Sequence, residues 1–295
     1  MGEITDVRDG THDSPKYVQE GHPFITSKNV SNGFINYDDV QYVTDADYEE
    51  INKRSKVDVH DILMGMIGTI GNLALIRKEP DFAIKNVALI KYTGDVDYQY
   101  LYQALQASCV TNQLSTGMDG GTQKFVSLKK IRELDIPFPD GWEQRKIGAY
   151  FSTLDHLITL HQQKITRLIK LKKAMLEKMF PKKGSVIPEF RFNGFANAWE
   201  QRKVLDLLIQ PITDGPHETP KLVEEGVPFI SVDAIVDNKI DFNRKRGNIS
   251  EEYDELCCKK YKPQFHDVYL VKSGSTVGKV AIVETTDRFN IWSPL

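Results

Sequence analysis

The sequence predicts an α+β protein in which two related domains of mixed α/β structure are joined by a long coiled-coil-like helix. Three observations predict this fold class: a segment that returns 205 residues later, a pentapeptide that returns after 57 residues, and one long stretch with helical apolar spacing. A repeat of this period is too long for a solenoid and indicates a duplicated domain. At 295 residues the chain also has the length of roughly two domains.

The long repeat is close enough to define a register along the chain. Residues 9–16, Asp-Gly-Thr-His-Asp-Ser-Pro-Lys, return as residues 214–221, Asp-Gly-Pro-His-Glu-Thr-Pro-Lys. Further matches are Pro23-Phe24-Ile25 with Pro228-Phe229-Ile230, His60-Asp61-Ile62 with His266-Asp267-Val268, and Ala83-Ile84 with Asn290-Ile291. On this register Leu295 corresponds to about Ala88, so we expect the second domain to be incomplete. The counterpart of Trp199 would fall before residue 1, so we expect the start of the first domain to be clipped as well.

The first domain, residues 1–141, is predicted to be rich in strands. Short apolar runs bounded by turn-forming residues are typical of strands, and they occur at Pro23–Thr26, Ile62–Met66, Leu73–Ile76 and Val87–Tyr92. Residues 97–110 have the spacing of a helix. A proline-rich segment, residues 137–141, then predicts a domain boundary, because proline lacks the amide hydrogen that a helix interior needs.

Residues 143–180 form the predicted long helix, within a segment at 142–183 that serves as the spacer between the domains. Its seam follows alternating gaps of four and three residues and is interrupted by His161 and Lys172. We expect a second helix to cover this seam; a simple interdomain linker is the alternative. At 1.5 Å per residue the helix is roughly 55 Å long. The residues predicted to pair with another helix are Leu154, Ile158, Ile165, Leu168, Met175 and Met179.

The remaining residues are predicted to form a linker, 184–198, and the second domain, 199–295. The pentapeptide Trp-Glu-Gln-Arg-Lys begins the helix at Trp142 and begins the second domain at Trp199. It therefore marks the two joints of the chain.

Charge and cysteine content narrow the class of protein. Residues 142–203 carry 13 Lys and Arg against 5 Asp and Glu, whereas residues 1–141 carry 14 against 21. Such a basic segment attracts a polyanion such as nucleic acid, although a solvated lysine-rich helix has the same composition. The three cysteines, Cys109, Cys257 and Cys258, lack metal-site spacing. Together with the lack of a leader or an apolar run of about 18 residues, this predicts a cytoplasmic protein without membrane contact.

Motifs of catalysis are hard to find in the sequence. Residues 274–279, Gly-Ser-Thr-Val-Gly-Lys, have three residues between the glycines where a phosphate loop needs four, so a tight turn between strands is the better interpretation. His12 and His217 recur with Asp9 and Asp214 but with no nucleophile, which favours turn structure or a polar ligand contact over catalysis. We therefore expect a binding protein, not an enzyme, with no metal site.

Several of these features occur together in one family. Four features follow one another along the chain: Gly120-Gly121-Thr122-Gln123, a Leu-x-x-Ile-x-x-Leu-x-Ile-Pro-x-Pro segment at Leu128–Pro139, Trp-Glu-Gln-Arg-Lys and a long helix. This order resembles the DNA-specificity subunit of type I restriction–modification systems. The resemblance covers essentially the whole chain. It implies two target recognition domains, each followed by a helix, whose antiparallel pairing sets the distance between the halves of a bipartite DNA site.

The resemblance also implies partners and a role for the loops. The partners are double-stranded DNA, methyltransferase subunits that bring S-adenosylmethionine, and a restriction subunit that uses ATP and Mg, so this chain itself holds no cofactor. Polar loop side chains then read base edges and fix the register on the DNA backbone. The candidate DNA-binding residues are Thr11, His12, Lys16, Lys28, Asn29, Thr69, Asn72, Gln123, Lys124, His217, Lys221, Ser275, Thr276 and Lys279.

Two other hypotheses stay open from the sequence. A complete member of the resembled family has two helices, whereas this chain has one, so we expect that its helix cannot pair within the chain. The chain would then form a homodimer through Leu154–Met179 or be a silent copy awaiting recombination. A scaffold whose basic helix binds a protein, with no role in DNA binding, is the alternative from another class.

Overall fold

The computed structural model describes residues 1–116, 125–293 and 295, and it has two compact units, Met1–Leu176 and Glu177–Leu295. The first unit contains strands β1 (Val7–Asp9), β2 (His22–Thr26), β3 (Val30–Ser31), β4 (Phe34–Ile35), β5 (Gln41–Val43), β6 (Ile62–Gly65), β7 (Leu73–Leu75), β8 (Ala83–Lys85) and β9 (Val87–Ile90). Its helices are α1 (Asp45–Ser55), α2 (Tyr98–Ala104), α3 (Ser108–Thr116), α4 (Leu128–Arg132) and α5 (Gly141–Met179), the last of which ends in the second unit.

The second unit repeats part of this order. Its strands are β10 (Val227–Ile230), β11 (Ile235–Val236), β12 (Lys239–Ile240), β13 (Gly247–Ile249), β14 (Val268–Leu270), β15 (Val280–Ile282) and β16 (Asn290–Ile291), and its helix is α6 (Glu251–Cys258). Short 3-10 helices lie at Ser27–Asn29, Val204–Asp206, Val232–Ala234 and Phe242–Arg244. The mixture of helices and strands confirms the predicted α+β class.

The first unit is built in three layers. A four-stranded sheet in the order β1-β9-β6-β7 lies between a three-stranded sheet, β5-β2-β8, and the helices α2, α3 and α4. Ile62 and Met64 of β6 belong to the core on the helix side, while Leu63 belongs to the core on the sheet side. Because both faces are covered, β6 and β9 are continuous apolar runs and do not alternate with polar residues.

Strand pairing confirms the register of the long repeat. In the first unit β2 pairs parallel with β8 and places Ile25 opposite Ile84. In the second unit β10 pairs parallel with β16 and places Ile230 opposite Ile291. The helices that follow begin in the same way, because the hydroxyls of Thr44 and Ser250 accept the amides of the third residue on. The duplication is therefore one of structure as well as of sequence.

The glycine of the repeated Asp-Gly segment has a packing reason. A β-carbon on Gly10 would lie 2.4 Å from the carbonyl oxygen of Ile84, and one on Gly215 would lie 2.4 Å from that of Ile291. No other residue allows the loop to approach the neighbouring strand this closely.

The helix predicted over residues 97–110 is wrong in one respect: it is two helices, α2 and α3, with a turn between them. Leu105 and Val110 are both buried in the same core. At 3.6 residues per turn, a straight helix would point these two side chains roughly 140° apart. The turn lets both side chains reach one core, so packing overrides the local helical pattern.

The long helix α5 confirms the predicted helix to within two residues at each end. It begins at a cap, because the carboxylate of Asp140 accepts the amides of Trp142 and Glu143 at 2.9 and 3.0 Å. Gln144 is buried; it donates to the carbonyl of Pro139 and accepts the amide of Asp97. The first turns of α5 are thus held against the first unit. The division into domains at 141, 183 and 198 remains a prediction.

Candidate nucleic-acid interface

One buried hydroxyl connects the loops that carry the predicted site residues of the first unit. The hydroxyl of Ser27 donates to the carbonyl of Asn86 at 2.7 Å and accepts the amides of Met66 and Ile67 at 3.0 and 3.3 Å. The hydroxyl of Thr69 donates to the carbonyl of Ser27 at 2.5 Å. The loop before β3, the turn between β6 and β7 and the turn between β8 and β9 therefore meet at Ser27.

The loop that follows β1 contacts the loops that meet at Ser27 through Asn86. The ring of His12 lies 2.8 Å (Nδ1) from the amide oxygen of Asn86 and 2.9 Å (Nε2) from the carboxylate of Asp9. Arg54 also contacts Asp9, which is buried. When both ring nitrogens donate, the ring is the charged imidazolium. The hydrogen bond to Asn86 and then that to Asp9 raise the pKa of His12, so the structure favours a cation at this exposed position.

The other predicted DNA-binding residues of the first unit differ in how far their side chains are exposed. Thr11 is half-buried and its hydroxyl accepts the amide of Asp13, whereas Lys16 is exposed. Lys28 is exposed and pairs with Asp39 at 2.7 Å. Asn72 is exposed, and its amide donates to the carbonyl of Val30 at 3.3 Å.

Asn29 does not fit the sequence-based expectation. It is only 3% exposed. Its amide oxygen accepts the backbone amide of Thr26, and its amide nitrogen donates to the carbonyls of Asn36 and Asp39. A side chain with its hydrogen bonds made inside the loop supports the loop and does not read a ligand. Gln123 and Lys124, which were predicted with it, lie outside the described residues.

The second unit repeats the aspartate–histidine pair with other cations. The carboxylate of Asp214 lies 3.1 Å from Nε2 of His217, and it also contacts Lys260 and Lys272. The two lysines hold the pKa of Asp214 well below its usual range, with Lys260 as the larger cause. His217 stays exposed, as His12 does. Because Lys272 starts the turn between β14 and β15, this ion pair links that turn to the Asp-Gly loop.

The turn between β14 and β15 is the segment with the phosphate-loop-like sequence, and the structure confirms a tight turn between two strands. Gly274 and Gly278 have φ angles of 90° and 88°, which favour glycine. Ser275 and Lys279 are exposed and Thr276 is half-buried. Lys221, on the segment before β10, is exposed as well.

Sequence reasoning missed four residues that connect the loops of the first unit: Ser27, Arg54, Lys85 and Asn86. Lys85 contacts the hydroxyl of Ser14, so it joins the loop after β1 from the opposite strand. Asn86 has a φ of 51°. A single asparagine between two short apolar runs is the usual signal of such a turn, so it could have been found. Arg54 lies at the end of α1, and nothing in the local pattern relates it to Asp9.

The helix α5 carries the predicted seam on its surface. Leu154, Ile158, Ile165 and Leu168 are between 37 and 57% exposed, and Met175 and Met179 are half-buried. An exposed apolar stripe of this kind is typical of an interaction site. Among the described residues, no helix is long and apolar enough to cross a membrane. The same residues contain no cluster of three or more His, Cys, Asp or Glu with metal-binding geometry.

Known proteins are similar to this chain in sequence, and a solved structure is similar to it in fold. It is 24% identical over 267 residues to a putative type I restriction enzyme MjaX specificity subunit of Methanocaldococcus jannaschii, covering 85% of this chain and 63% of that protein. It is 24% identical to the MjaVIII specificity subunit of the same organism over 76% of this chain and 54% of that protein. The chain thus spans between half and two thirds of the length of these relatives.

A solved structure and a sequence profile agree with these relatives. The S subunit of a type I restriction–modification system from M. genitalium matches with a TM-score of 0.55 at 16% identity, covering 98% of this chain and 68% of that one, which indicates a shared fold. The profile of the type I restriction modification DNA specificity domain matches residues 1–170. Because that match spans more than half of the sequence, the chain belongs to the type I restriction–modification DNA-specificity family.

Proposed function

We propose that this chain binds duplex DNA sequence-specifically, as the specificity subunit that directs methyltransferase and restriction subunits to a bipartite target. The observation that carries the proposal is the structural duplication: two copies of one α+β unit each place an exposed histidine on a buried or half-buried aspartate in the same loop. Two similar binding units on one chain suit a target with two half-sites. The relatives that bear the name of specificity subunit support the same role.

The DNA contacts in this proposal come from local loops, because residues 1–141 are acidic as a whole. His12, Lys16 and Lys28 provide positive charge beside the loops that meet at Ser27. The ion pair of Lys28 with Asp39 joins two exposed side chains and is worth little. Lys28 therefore exchanges its partner for a phosphate at low cost. Phosphate contacts of this kind position the protein, and neighbouring polar groups read bases.

The chain acts in this proposal as a non-catalytic subunit. The chemistry and its cofactors, S-adenosylmethionine, ATP and Mg, belong to the methyltransferase and restriction subunits. The apolar stripe of α5 pairs with a second helix, either in a partner copy or in a complete assembly. Pairing through Leu154–Met179 would place two first units on one DNA molecule.

The stripe is tested by charge substitution on the helix surface. Ile165→Lys with Leu168→Lys should abolish self-association in sedimentation velocity without loss of helix content, because these side chains are exposed in the single chain. The matched control is Gln163→Lys, which adds a charge to the same exposed stretch of α5. A wild-type chain that is a monomer at high concentration, with a stable helix, would contradict the pairing.

The proposed function is tested by selection from random-sequence duplex DNA, with and without the neighbouring methyltransferase subunit. We expect one short enriched motif, or two motifs at fixed spacing if the helix pairs. The variant His12→Ala with Lys16→Ala should lose enrichment, whereas Lys183→Ala, in the predicted spacer, should retain it. Binding that falls with salt but enriches no motif would refute the proposal and leave nonspecific attraction by the basic segment; no binding would favour a scaffold or a silent copy.

A further inference from the structure

Arg54, in the last turn of α1, is tied to the loop that follows β1 by a buried carboxylate. The guanidinium of Arg54 donates to one oxygen of Asp9, and the other oxygen lies 2.9 Å from Nε2 of His12. The sheet fixes Asp9 in place, because β1 pairs with β9 up to this residue. The side chains of Arg54 and His12 are 69 and 63% exposed. One carboxylate therefore holds two basic side chains together at the surface.

The guanidinium of Arg54 keeps most of its donors free. It carries five N–H donors, and among the described residues only Asp9 accepts from it. The remaining donors form a planar fork that matches two oxygens of a phosphate, and the contact with Asp9 fixes the direction of this fork. His12 adds positive charge beside it. Its hydrogen bonds to Asn86 and then to Asp9 raise the pKa of His12, although the charge of Arg54 acts to lower it.

The second unit makes a similar arrangement with side chains from other positions. The carboxylate of Asp214 accepts the ammonium groups of Lys260, at 2.5 Å, and of Lys272, and it lies 3.1 Å from Nε2 of His217. Lys260 follows the end of α6, as Arg54 lies at the end of α1, whereas Lys272 follows β14. The two lysines are 57 and 43% exposed. Both units thus retain the aspartate and hold more than one basic side chain on it.

The charge of these sites points to an anion. One cation would neutralise each aspartate, so a second cation leaves the site positive. In the first unit this happens within a segment, residues 1–141, that carries 14 Lys and Arg against 21 Asp and Glu. We propose that Arg54 in the first unit, and Lys260 with Lys272 in the second, bind phosphates of the DNA backbone and so set the position of each unit on its half-site. This inference rests on the proposed function and names contacts that do not depend on base sequence.

The test measures the affinity of the complete 295-residue chain for two fluorescent duplexes by anisotropy, at several salt concentrations. One duplex carries the selected motif and the other an unrelated sequence. Arg54→Ala should weaken binding to both duplexes by the same factor, about tenfold. It should also reduce the slope of log affinity against log salt by about 0.9, because one phosphate contact is lost. Lys260→Ala should have the same two effects.

Each variant has a matched control in the lysine directly before it. Lys53→Ala and Lys259→Ala remove the same charge from exposed positions, Lys53 being paired with Glu50, and should leave the salt slope unchanged. Arg54→Lys keeps a cation beside the buried Asp9 and so guards against loss of folding. It should keep the slope and recover only part of the affinity, because lysine cannot make the two-point contact.

The other outcomes overturn the inference, and each variant decides for its own unit. Unchanged affinity and slope in Arg54→Ala or Lys260→Ala would show that the ion pair only fastens the end of a helix. A loss confined to the motif duplex would assign the side chain to base reading. Failure of the proposed function looks different: no motif is enriched, while the slopes on the unrelated duplex still decide this inference. A chain that binds neither duplex would contradict both.

Discussion

Removing the hydroxyl of Ser27 should loosen the loops of the candidate interface at a single point. Ser27 is 5% exposed, and its hydroxyl has three backbone partners, at Met66, Ile67 and Asn86. In Ser27→Ala the amide of Met66 is left buried without a partner. The other two groups are half-buried and recover part of their hydrogen bonding from water. One unsatisfied buried group costs about 1–3 kcal/mol, so the whole change should lower the free energy of unfolding by about 2–3 kcal/mol.

The assay for this prediction is urea unfolding followed by far-UV circular dichroism, with a separate transition fitted for each unit. The matched control is Ser115→Ala, an exposed serine on α3 whose replacement should change the free energy of unfolding by less than about 0.5 kcal/mol. Affinity for the selected DNA should also fall in Ser27→Ala, since the connected loops lose their common anchor. A stability loss below about 0.5 kcal/mol would refute the argument that this hydroxyl holds the loops together.

Three further substitutions test other contacts of the first unit. Gly148→Ala should destabilise the unit by about 1 kcal/mol or more, because its new β-carbon would lie 2.7 Å from the carboxylate that caps α2 and 2.8 Å from a backbone amide; thermal unfolding measures it. Asp9→Asn should lower the pKa of His12, measured by NMR titration. It should also reduce the stability that the raised pKa contributes below pH 6.5 and that is lost as pH rises through the folded-state pKa. Lys91→Met should cost about 3 kcal/mol in urea unfolding, because it leaves the buried carboxylate of Asp61 without its cation.

Each of these substitutions has a control in the same unit. Gly141→Ala adds a methyl group at the start of the same helix, where the nearest atom is 3.7 Å away. Asp13→Asn removes an exposed carboxylate from the same loop as Asp9, and Lys129→Met removes an exposed lysine. A more stable Gly148→Ala would mean that helix propensity outweighs the close approach. If the pKa of His12 stays the same in Asp9→Asn, or the free energy of unfolding stays the same in Lys91→Met, the ion-pair assignments are contradicted.

The aspartate of the repeated His-Asp segment has a different partner in each unit. In the first unit this aspartate is Asp61, and its partner is the half-buried Lys91. Burial acts to lower the pKa of Lys91, but its hydrogen bonds to Asp58 and Asp61 outweigh burial and raise that pKa. In the second unit, the equivalent Asp267 accepts the hydroxyl of Tyr261 at 2.6 Å and the amide of Gln264 at 2.8 Å. The repeat predicts a carboxylate at this point, but the group that satisfies it is set by each unit.

The repeated pentapeptide marks the limit of what a local pattern decides. Trp-Glu-Gln-Arg-Lys begins α5 in the first case, where Gln144 is buried between the carbonyl of Pro139 and the amide of Asp97. In the second case Gln201 is exposed, and the chain forms only the short 3-10 helix Val204–Asp206. The same side chains adopt different structures because a helix this exposed is stabilised mainly by what it packs against.

The duplication, its register, the α+β class, the long helix and the family could all be inferred from the sequence. These features follow from apolar spacing, turn residues and repeated motifs, which are visible in the order of residues along the chain. Three other features became visible only in the folded chain: Asn29 supports its loop, Ser27 and Asn86 join the loops of the interface, and one hairpin face is covered in the first unit, at β6–β7, and open in the second, at β14–β15. Burial and hydrogen bonding between distant segments depend on which atoms meet in space, and no spacing along the chain encodes that.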